Sequence, residues 1–499
     1  MPRLGRLPEC LPALIIPRRS VLLVPWIVLV PIGLATLAAD PAPSFRAGAA
    51  TSNISPWLGL SINGSMSDGT VAHVHDELHA RALVLDDGRR RMAIVVCDSC
   101  MIPRDVVLRA KARIAQRVKI APERVLISAT HAHSCPTAGS VFQSDPEPDY
   151  LRFLAVRIAD AVERAANQLE PAEIGWGAGR NDRQVFNRRW KMKPGSIPPD
   201  PFGGTAAQVQ MNPPVGSPNL LEPAGPIDPD VWVLAARSTG GRPIALLANY
   251  SLHYVGGVGP GHASADYFGA FARRVADQLG SVRHDPPFVA MMSNGTSGDI
   301  NNINFRSPRP PAPAYAQIHA VANELADEAV RVLGGLSFHS AVTLDARTAE
   351  LTLGVRKPGQ EDLARAETIL KEAAGKPLTR LDQIYARETT LLNEYPDTVP
   401  VTIQALRIGD LGIAAIPCEV FVEIGLDIKA RSELKPVFTI ELANGYNGYL
   451  PTKTQHALGG YETWRARSSY LEVDAADKIA AKATELLSEL NEAKGQAAR

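Results

Sequence analysis

The sequence has no excess of charge of either sign, because 52 basic side chains balance 52 acidic ones. Proteins that bind nucleic acid usually carry a basic surplus or a basic stripe, so the zero net charge argues against a nucleic-acid partner. Internal repeats are absent as well. What remains is an ordinary globular composition with 45% hydrophobic residues, and 499 residues are ample for a sizeable core.

Cysteine is also scarce, with five residues in the chain. Cys97 and Cys100 form a C-x-x-C pair, but no second pair exists that would complete a four-cysteine zinc site. Cys10 falls in the N-terminal segment, which leaves an even number that permits disulfides in an exported protein. Buried free thiols and a disulfide bridge therefore both remain open.

Long apolar runs are missing apart from one near the N-terminus. Arg18 and Arg19 precede an apolar stretch at 21–39 that ends in small residues. A basic segment, an apolar segment and small residues before a cleavage point are typical of a signal peptide. The run also reaches the length of about 20 residues that spans a bilayer. We therefore predict that residues 1–40 are a signal peptide or an N-terminal anchor, and that the protein is exported (periplasmic, secreted or N-terminally membrane-anchored).

The remainder of the chain, residues 41–499, alternates between strand-like and helix-like segments. Continuous apolar strands between amphipathic helices indicate an α/β fold with layered sheets covered by helices. A proline-rich stretch at 189–230 predicts a surface excursion rather than a linker, so we expect one large domain. The predicted strands are 91–97, 124–129, 231–236, 244–249, 288–292, 402–408 and 412–416, and the predicted helices are 103–118, 150–169, 318–333 and 479–490.

Histidines follow two of the predicted strands. His131 and His133 lie directly after the strand 124–129, and His253 ends the strand-like run that begins at 244. Residues two apart on a strand point to the same side, so the pair can supply one metal ligand and one acid/base group. The competing interpretation is a pair of exposed loop histidines.

Glu419 follows a third apolar strand, and a carboxylate there is costly to bury unless it is paired or bound to metal. Zinc accepts imidazole nitrogen and carboxylate oxygen. Open α/β sheets place ligands where strands end and loops begin. Three unrelated polar strand ends remain the alternative on these residues alone.

An ordered series of segments resembles the catalytic domain of the neutral ceramidases. In chain order it consists of T-H-A-H-S at 130–134, the strand ending in His253, S-N-G with G-D at 293–299, P-C-E at 417–419, and N-G-Y-N-G-Y at 444–449 followed by Thr452. Shorter matches are A-G at 47–48, N-I-S-P at 53–56, H-A-R-A at 79–82 and N-R at 187–188. The similarity extends over residues 45–490.

This resemblance implies a zinc-dependent hydrolase acting on linear amides, with an N-acyl sphingoid or related N-acyl lipid as substrate, in sphingolipid metabolism. The implied Zn²⁺ ligands are His131, His253, Glu419 and Tyr449. His133 corresponds to an acid/base or oxyanion-stabilising group, and Arg188, Asp299 and Tyr446 are implied on the substrate side. Tyr446 is also the competing metal-side tyrosine.

Two departures from the family pattern bear on this expectation. Asn301 stands where the family has an active-site serine, and an amide cannot act as a nucleophile, although it can donate to a developing oxyanion. The alternative function is therefore a zinc-binding, ceramidase-like protein with an altered substrate or no catalytic activity. The family's C-terminal immunoglobulin-like domain is not expected after the closing helix, which bears on how a membrane lipid is presented; association with a membrane surface stays open.

Cys135 and Cys418 form the remaining departure, because each replaces a glycine of the family pattern. Cys135 follows His133 by two residues and Cys418 directly precedes Glu419. If those two groups flank one metal ion, the cysteines can lie within the Cα separation that a disulfide needs. We therefore expect a Cys135–Cys418 bridge, with two free thiols as the alternative.

Overall fold

Strands of the central sheets are apolar on both faces, and this double-sided pattern sets the architecture. The computed structural model describes residues 15, 17, 20 and 45–497. The chain divides into two compact units, residues 1–42 and 43–499, and the second is described here. The predicted signal peptide or anchor lies outside the described residues.

Eight strands form the large sheet. Their order from edge to edge is Val289–Asn294, Pro243–Tyr250, Asp230–Ser238, Glu170–Arg180, Arg46–Asn53, His79–Asp86, Arg91–Cys97 and Val125–Ala129. The pairs at both edges are parallel and the inner pairs are antiparallel. A parallel pair needs a crossover connection, and helices provide it at both edges.

A second, four-stranded sheet packs on one face of the large sheet. Its order is Leu344–Gly354, Thr398–Ile408, Leu411–Ala415 and Val437–Ile440. Alternate side chains such as Leu83, Ile94 and Leu406 fill the core between the two sheets. We call this the small sheet.

The outer faces of both sheets are covered by helices. Val84 and Val95 point to the opposite side of the large sheet from Leu83 and Ile94, as the two-residue period of a strand requires, and pack against helices. On the small sheet, Ile403 packs in the same way against the C-terminal helix. The result is a helix–sheet–sheet–helix sandwich, which confirms the predicted α/β fold of layered sheets covered by helices.

The described residues contain nine α-helices: Arg104–Val118, Pro148–Asn167, Asp266–Gln278, Ala316–Leu333, Gln360–Glu372, Leu381–Asn393, Val422–Arg431, Lys453–Leu458 and Ala475–Ala497. Short 3₁₀ turns lie at Pro122–Arg124 and Tyr461–Thr463. The remaining short strands are Ser61–Ile62, Gly69–Thr70, His73–Val74, Phe186–Asn187, Arg189–Met192, Val209–Met211, Leu220–Pro223, His262–Ala263, Ile300–Asn301, Glu419–Val420 and Tyr449–Leu450. Within residues 45–497, none of these helices is both long and apolar enough to span a bilayer.

The predicted strands and helices are found with shifted ends, whereas several further helices were not predicted. Gln360–Glu372 buries only Ala366, so its sequence carries little helical periodicity of apolar residues. Asp266–Gln278 begins without a side-chain cap, and its first residue has φ 52°, so the usual start signal is missing. The proline-rich stretch 189–230 contains a three-stranded sheet of its own.

Curvature of the large sheet brings strands that are distant in its order close together. Cα atoms of the edge strand Val289–Asn294 lie within 8 Å of the strands Arg91–Cys97 and Val125–Ala129 near the other edge. At the carboxyl end of that edge strand, Asn294 accepts a hydrogen bond from Glu441, which follows the small sheet. The carboxyl ends of parallel strands from both sheets therefore meet in one place.

Gly48 allows the large sheet to approach the helix Pro148–Asn167. A Cβ at this position would lie 2.8 Å from the Gln168 carbonyl carbon and closer still to the Ala165 oxygen. Backbone atoms cannot move aside as a flexible side chain can. Gly48→Ala should therefore lower the free energy of unfolding by about 1–3 kcal/mol through overpacking.

Denaturant unfolding measures this change as a lower midpoint at constant m-value. Gly240→Ala is the matched control, because a Cβ there meets nothing nearer than the Ser238 hydroxyl at 3.8 Å. The control should change stability by less than about 0.5 kcal/mol. Equal stability of the two variants would contradict the close approach at Gly48.

Candidate metal centre

His131 leaves the strand Val125–Ala129 in an unusual backbone conformation. Its φ is 70°, which is rare for a residue other than glycine and is common at functional sites. Its amide donates to the Ser99 carbonyl at 2.9 Å, and this bond helps to hold the turn. The strand conformation does not continue through this residue, yet His131 and His133 still meet, with 3.1 Å between their Nε2 atoms.

His253 and Glu419 lie after the ends of two other strands. His253 follows the strand Pro243–Tyr250, and Glu419 begins a two-residue strand that pairs in parallel with Tyr449–Leu450. The Nε2 atoms of His131 and His253 lie 2.9 Å apart. Glu419 Oε2 lies 3.1 Å from His131 Nε2 and 3.7 Å from His253 Nε2. We call these three residues the histidine–glutamate cluster.

The other ring nitrogens of the cluster are held by backbone carbonyls. His131 Nδ1 lies 2.7 Å from the Cys100 oxygen, and His253 Nδ1 lies 3.0 Å from the Ser297 oxygen. A carbonyl can only accept, so each Nδ1 carries a proton and donates it. In its neutral form each ring then presents the Nε2 lone pair to the cluster, the arrangement that is typical of metal-binding histidines.

Glu419 directs a carboxylate oxygen toward the two histidine Nε2 atoms. Its Oε1 accepts a hydrogen bond from the Tyr446 hydroxyl at 2.8 Å. Its buried Oε2 has no hydrogen-bond partner among the described residues. An unpaired buried carboxylate oxygen facing two imidazole nitrogens requires positive charge nearby. A proton can be shared by only two of these three atoms, whereas a metal ion can bind all three.

The distances also fit a metal ion. Tetrahedral zinc with bonds near 2.0–2.1 Å separates its nitrogen and oxygen ligands by about 3.3 Å. The three separations in the cluster lie on either side of that value. All three side chains are at most 3% exposed, so water cannot easily reach the three ligand atoms and form hydrogen bonds with them.

Cys100 offers an alternative set of ligands with His131 and His133. Its sulfur lies 3.8 Å from His131 Nδ1, on the side of the ring that already faces the Cys100 carbonyl. Because His131 Nε2 faces His253 and Glu419 instead, the orientation of this ring favours the histidine–glutamate cluster.

Charges in the cluster are strongly coupled. Burial disfavours ionisation of both His131 and Glu419, but their mutual attraction outweighs it: the pKa of His131 is raised and that of Glu419 is lowered. The pKa values of His253 and His133 are both lowered, first by burial and then by neighbouring positive charge that includes Arg188. Both rings are therefore neutral at pH 7 and can act as ligands or proton acceptors.

His133 lies between the cluster and a solvent-filled cleft. Its ring stacks on Tyr254, with 3.7 Å between ring centroids. Gly64 covers the other parts of the ring, and a Cβ on this glycine would lie 2.5 Å from His133 Cγ. Gly64 also has φ 106°, a conformation that other residues rarely adopt.

The cleft itself has a volume of about 580 Å³. Polar and small residues dominate its walls: Asn63, Ser65, Ser67, Asp68, Thr70, Ser134, Asp266 and the glycines 64, 69, 256, 257, 259 and 261. Ile62, Val258 and Pro260 contribute aliphatic surface, and Tyr254 contributes an aromatic ring. A polar compound that enters this cleft reaches His133 before the histidine–glutamate cluster.

Arg188 and Tyr449 lie on the far side of Glu419. Arg188 donates to the Tyr449 hydroxyl at 3.1 Å, and the neighbouring Tyr449 helps to lower the pKa of Glu419. Glu462, which is fully buried, accepts from Arg188 at 3.1 Å and from Arg189 at 2.6 Å. The arginine is thus held in place behind the tyrosine. Burial raises the pKa of the Tyr449 and Tyr446 hydroxyls well above the ordinary value, so both remain protonated donors.

Asp299 and Asn301 are placed differently from the cluster residues. Asp299 is fully buried and accepts hydrogen bonds from Asn187 Nδ2 at 2.8 Å and from the Val422 amide at 2.9 Å. Asn301 donates to Asn212 Oδ1 at 2.7 Å and accepts from the Ile303 amide at 3.0 Å. The hydrogen bonds of both side chains therefore go to segments around the centre and not to the histidine–glutamate cluster.

Glu441 and Ser297 support the centre but were not identified from the sequence. The Ser297 hydroxyl donates to Glu441 Oε1 at 2.6 Å, while the Ser297 carbonyl holds His253. Burial raises the pKa of Glu441 to about 8. A signal for Glu441 did exist, because it follows an apolar strand as Glu419 does.

The expected Cys135–Cys418 bridge is wrong. All four cysteines within residues 45–497 are free and buried. Cys135 packs in the core between the large sheet and its helices, and its sulfur donates weakly to the Ser264 carbonyl at 3.7 Å. Cys418 packs in the core on the outer face of the small sheet. Proximity to the same centre is not enough for a disulfide, because the segments that carry Cys135 and Cys418 lie in different layers of the fold.

Comparisons with known proteins agree with the fold. No family model and no curated protein matches the sequence. Among solved structures, a neutral ceramidase from Pseudomonas aeruginosa matches with a TM-score of 0.67 and 20% identity, over 91% of this chain and 75% of that chain. A structure described as a ceramidase complexed with C2 matches with the same TM-score and identity, over 90% and 75%. The chain has the fold of the neutral ceramidases, which confirms the resemblance at the level of the fold.

The geometry predicts one tightly bound divalent metal ion that depends on both histidines. His131→Ala and His253→Ala should each abolish the stoichiometric metal, because two remaining ligands hold an ion far less tightly. Elemental analysis after dialysis against a weak chelator measures the metal content, and the parent alone should gain thermal stability from added metal.

His456→Ala is the control for this experiment, since His456 lies on the separate short helix Lys453–Leu458. It should retain the full metal content. Equal retention in His131→Ala and His253→Ala would show that the histidine–glutamate cluster is not the metal site.

Proposed function

We propose that this protein is a zinc-dependent hydrolase that cleaves the amide bond of an N-acyl sphingoid or a related N-acyl lipid. The observation that carries the proposal is the buried histidine–glutamate cluster, whose unpaired Glu419 Oε2 faces two imidazole Nε2 atoms. The neutral-ceramidase fold around it supports the choice of an amide substrate.

Zinc is the proposed metal because two imidazole nitrogens and a carboxylate form a ligand set that is typical of its catalytic sites. Tyr449, whose hydroxyl lies beside Glu419, completes the proposed set. Tyr446 orients Glu419 by donating to Oε1. When bound, zinc would polarise the scissile carbonyl and lower the pKa of a bound water.

His133 is the proposed acid/base residue. It is half-buried at the end of the cleft, its pKa is lowered by burial and neighbouring charge, and its Nε2 lies 3.1 Å from the cluster. A neutral imidazole can accept a proton at Nε2 and return it to a leaving amine, a role that contributes about 10²–10⁴-fold to the rate. Stacking on Tyr254 fixes the plane of the ring for this transfer.

The cleft favours a substrate with a short acyl group or a polar head group. The long chain of a membrane lipid would need a largely apolar wall, whereas the apolar part of this cleft consists of Ile62, Val258, Pro260 and the Tyr254 ring among polar residues and glycines. We therefore expect an acetylated sphingoid base to be a better substrate than its long-chain counterpart.

A second candidate function is a metal-binding protein without turnover. The observation that favours it is Asn301, which stands at the position of the family's serine and directs its side chain to Asn212 and Ile303. In that case, zinc would be retained while no N-acyl compound is hydrolysed.

The proposed function is tested by release of free amine from C2- and C16-acylated sphingosine. We expect metal-loaded protein to hydrolyse the C2 compound faster, and a strong chelator to abolish the reaction. Gly64→Ala should lower kcat about 10-fold or more at unchanged metal content, because its Cβ displaces His133 from the acid/base position.

Gly59→Ala is the matched control. This glycine has φ 93°, similar to that of Gly64, but a Cβ there meets nothing within 4 Å. It should therefore show the backbone strain without the loss of kcat. Equal kcat in Gly64→Ala and Gly59→Ala would exclude His133 as the acid/base residue, and no turnover by metal-loaded parent would favour the second candidate function.

Asn301→Ser separates the two candidate functions further. A hydroxyl at this position restores the side chain found in the family, and we expect amidase activity on the C2 compound above that of the parent. Asn302→Ser is the control with the same change one residue away, and it should produce no gain. If Asn301→Ser also gives no gain with metal and fold intact, the pocket is built for another substrate.

A further inference from the structure

Three histidines outside the metal centre converge at the surface. His73 lies on the short strand His73–Val74, and His262 lies opposite it on the parallel strand His262–Ala263. His75 follows two residues after His73, so it lies on the same side of the chain. The centroids of the His73 and His262 rings are 4.7 Å apart, and those of His75 and His262 are 5.9 Å apart. We call these residues the surface histidine triad.

Ligand atoms of the triad all lie within 4.8 Å of one another. Three nitrogens around one zinc or similar ion lie about 3.3 Å apart. His73 and His75 are exposed and His262 is half-buried. Rotation of the two exposed side chains is therefore enough to bring the three nitrogens to the separation that a metal ion requires. Two of the three rings come from strands whose register is already fixed by backbone pairing.

Tyr315 supports the triad from below. Its hydroxyl lies 2.6 Å from His262 Nδ1 and accepts a hydrogen bond from the Gly259 amide at 3.4 Å. A neutral His262 that donates Nδ1–H to this hydroxyl presents Nε2 to the triad. The Tyr315 ring also stacks on His75, with 3.8 Å between centroids. A hydrogen-bonded partner behind a ligand histidine is what metal sites use to orient the ring.

Asp76 faces the triad, but its carboxylate accepts from the Ser264 hydroxyl and the Ala265 amide and lies 3.7 Å from Arg273. The hydrogen bonds of this carboxylate therefore go to residues outside the triad.

We infer that the surface histidine triad is a second metal site, which takes a borderline divalent transition metal ion through three imidazole nitrogens and leaves its other positions to water. Imidazole ligands suit Zn²⁺, Ni²⁺ and Cu²⁺ rather than Mg²⁺ or Ca²⁺. An exposed site without a carboxylate ligand holds the ion more weakly than the buried centre does.

The site has a structural consequence at the cleft that leads to His133. His262 belongs to the glycine-rich loop that forms one wall of this cleft, with Gly256, Gly257 and Gly261 all at positive φ. Bound metal would tie this loop to the segment that carries His73 and His75. The second ion therefore restrains the entrance of the cleft without contacting the buried centre.

Equilibrium dialysis of parent protein whose buried centre is already loaded tests this inference, with graded free Zn²⁺ and elemental analysis of metal per chain. We expect a second equivalent in the parent. The double variant His73→Ala/His75→Ala and the single variant His262→Gln should each lose it. Tyr315→Phe should weaken its binding about 10- to 100-fold, because the orienting hydroxyl is removed.

His339→Ala is the matched control, since His339 is an exposed histidine beside Trp176. It should bind both equivalents. His131→Ala should lose the tight equivalent and keep the weak one, so failure of the buried centre and failure of the triad are distinguishable. Circular dichroism identifies any variant that does not fold, and His262→Gln is the milder of the two changes. No second equivalent in the parent, or its retention in both triad variants, would overturn the inference.

Discussion

The convergence of three lone pairs in a buried space is the constraint on which the centre depends. His131 Nε2, His253 Nε2 and Glu419 Oε2 face one another within 3.7 Å, and both imidazole Nδ1 protons are committed to backbone carbonyls. Buried lone pairs repel one another unless positive charge lies between them. The free-energy cost of this repulsion is large compared with the small net stability of a folded domain. A metal ion removes the repulsion from all three atoms at once.

The architecture explains how residues 131, 253 and 419 come together. Parallel strand pairs end at both edges of the large sheet and in the small sheet, and curvature brings those ends to one place. Each ligand follows such a strand end, so that rigid sheets fix its position. Ser297 and Glu441 then hold His253 from behind, while Tyr446 holds Glu419. Precise placement of ligands depends on this outer layer of contacts.

The layered fold and the candidate ligands are predicted from the sequence because both depend on patterns along the chain. Double-sided apolar strands predict covered sheets, and polar residues after strand ends make Glu419, His131 and His253 candidate ligands, which the resemblance to the family then selects. The missing information is three-dimensional. Nothing local places Gly64 against His133, or Glu462 between Arg188 and Arg189, since these contacts join segments far apart in the chain. The Cys135–Cys418 bridge was expected for the same reason: proximity to one centre does not reveal that the two cysteines pack in different layers.

Two sets of residues compete for the metal ion: His131, His253 and Glu419, or Cys100 with His131 and His133. The geometry of the centre favours the first set. X-ray absorption at the zinc edge, on protein that carries one equivalent, measures the ligand atoms directly. If His131, His253 and Glu419 hold the ion, nitrogen and oxygen neighbours will be found at about 2.0–2.1 Å, with the outer-shell scattering of imidazole rings. A sulfur neighbour at about 2.3 Å would contradict this ligand set and would place Cys100 in the centre.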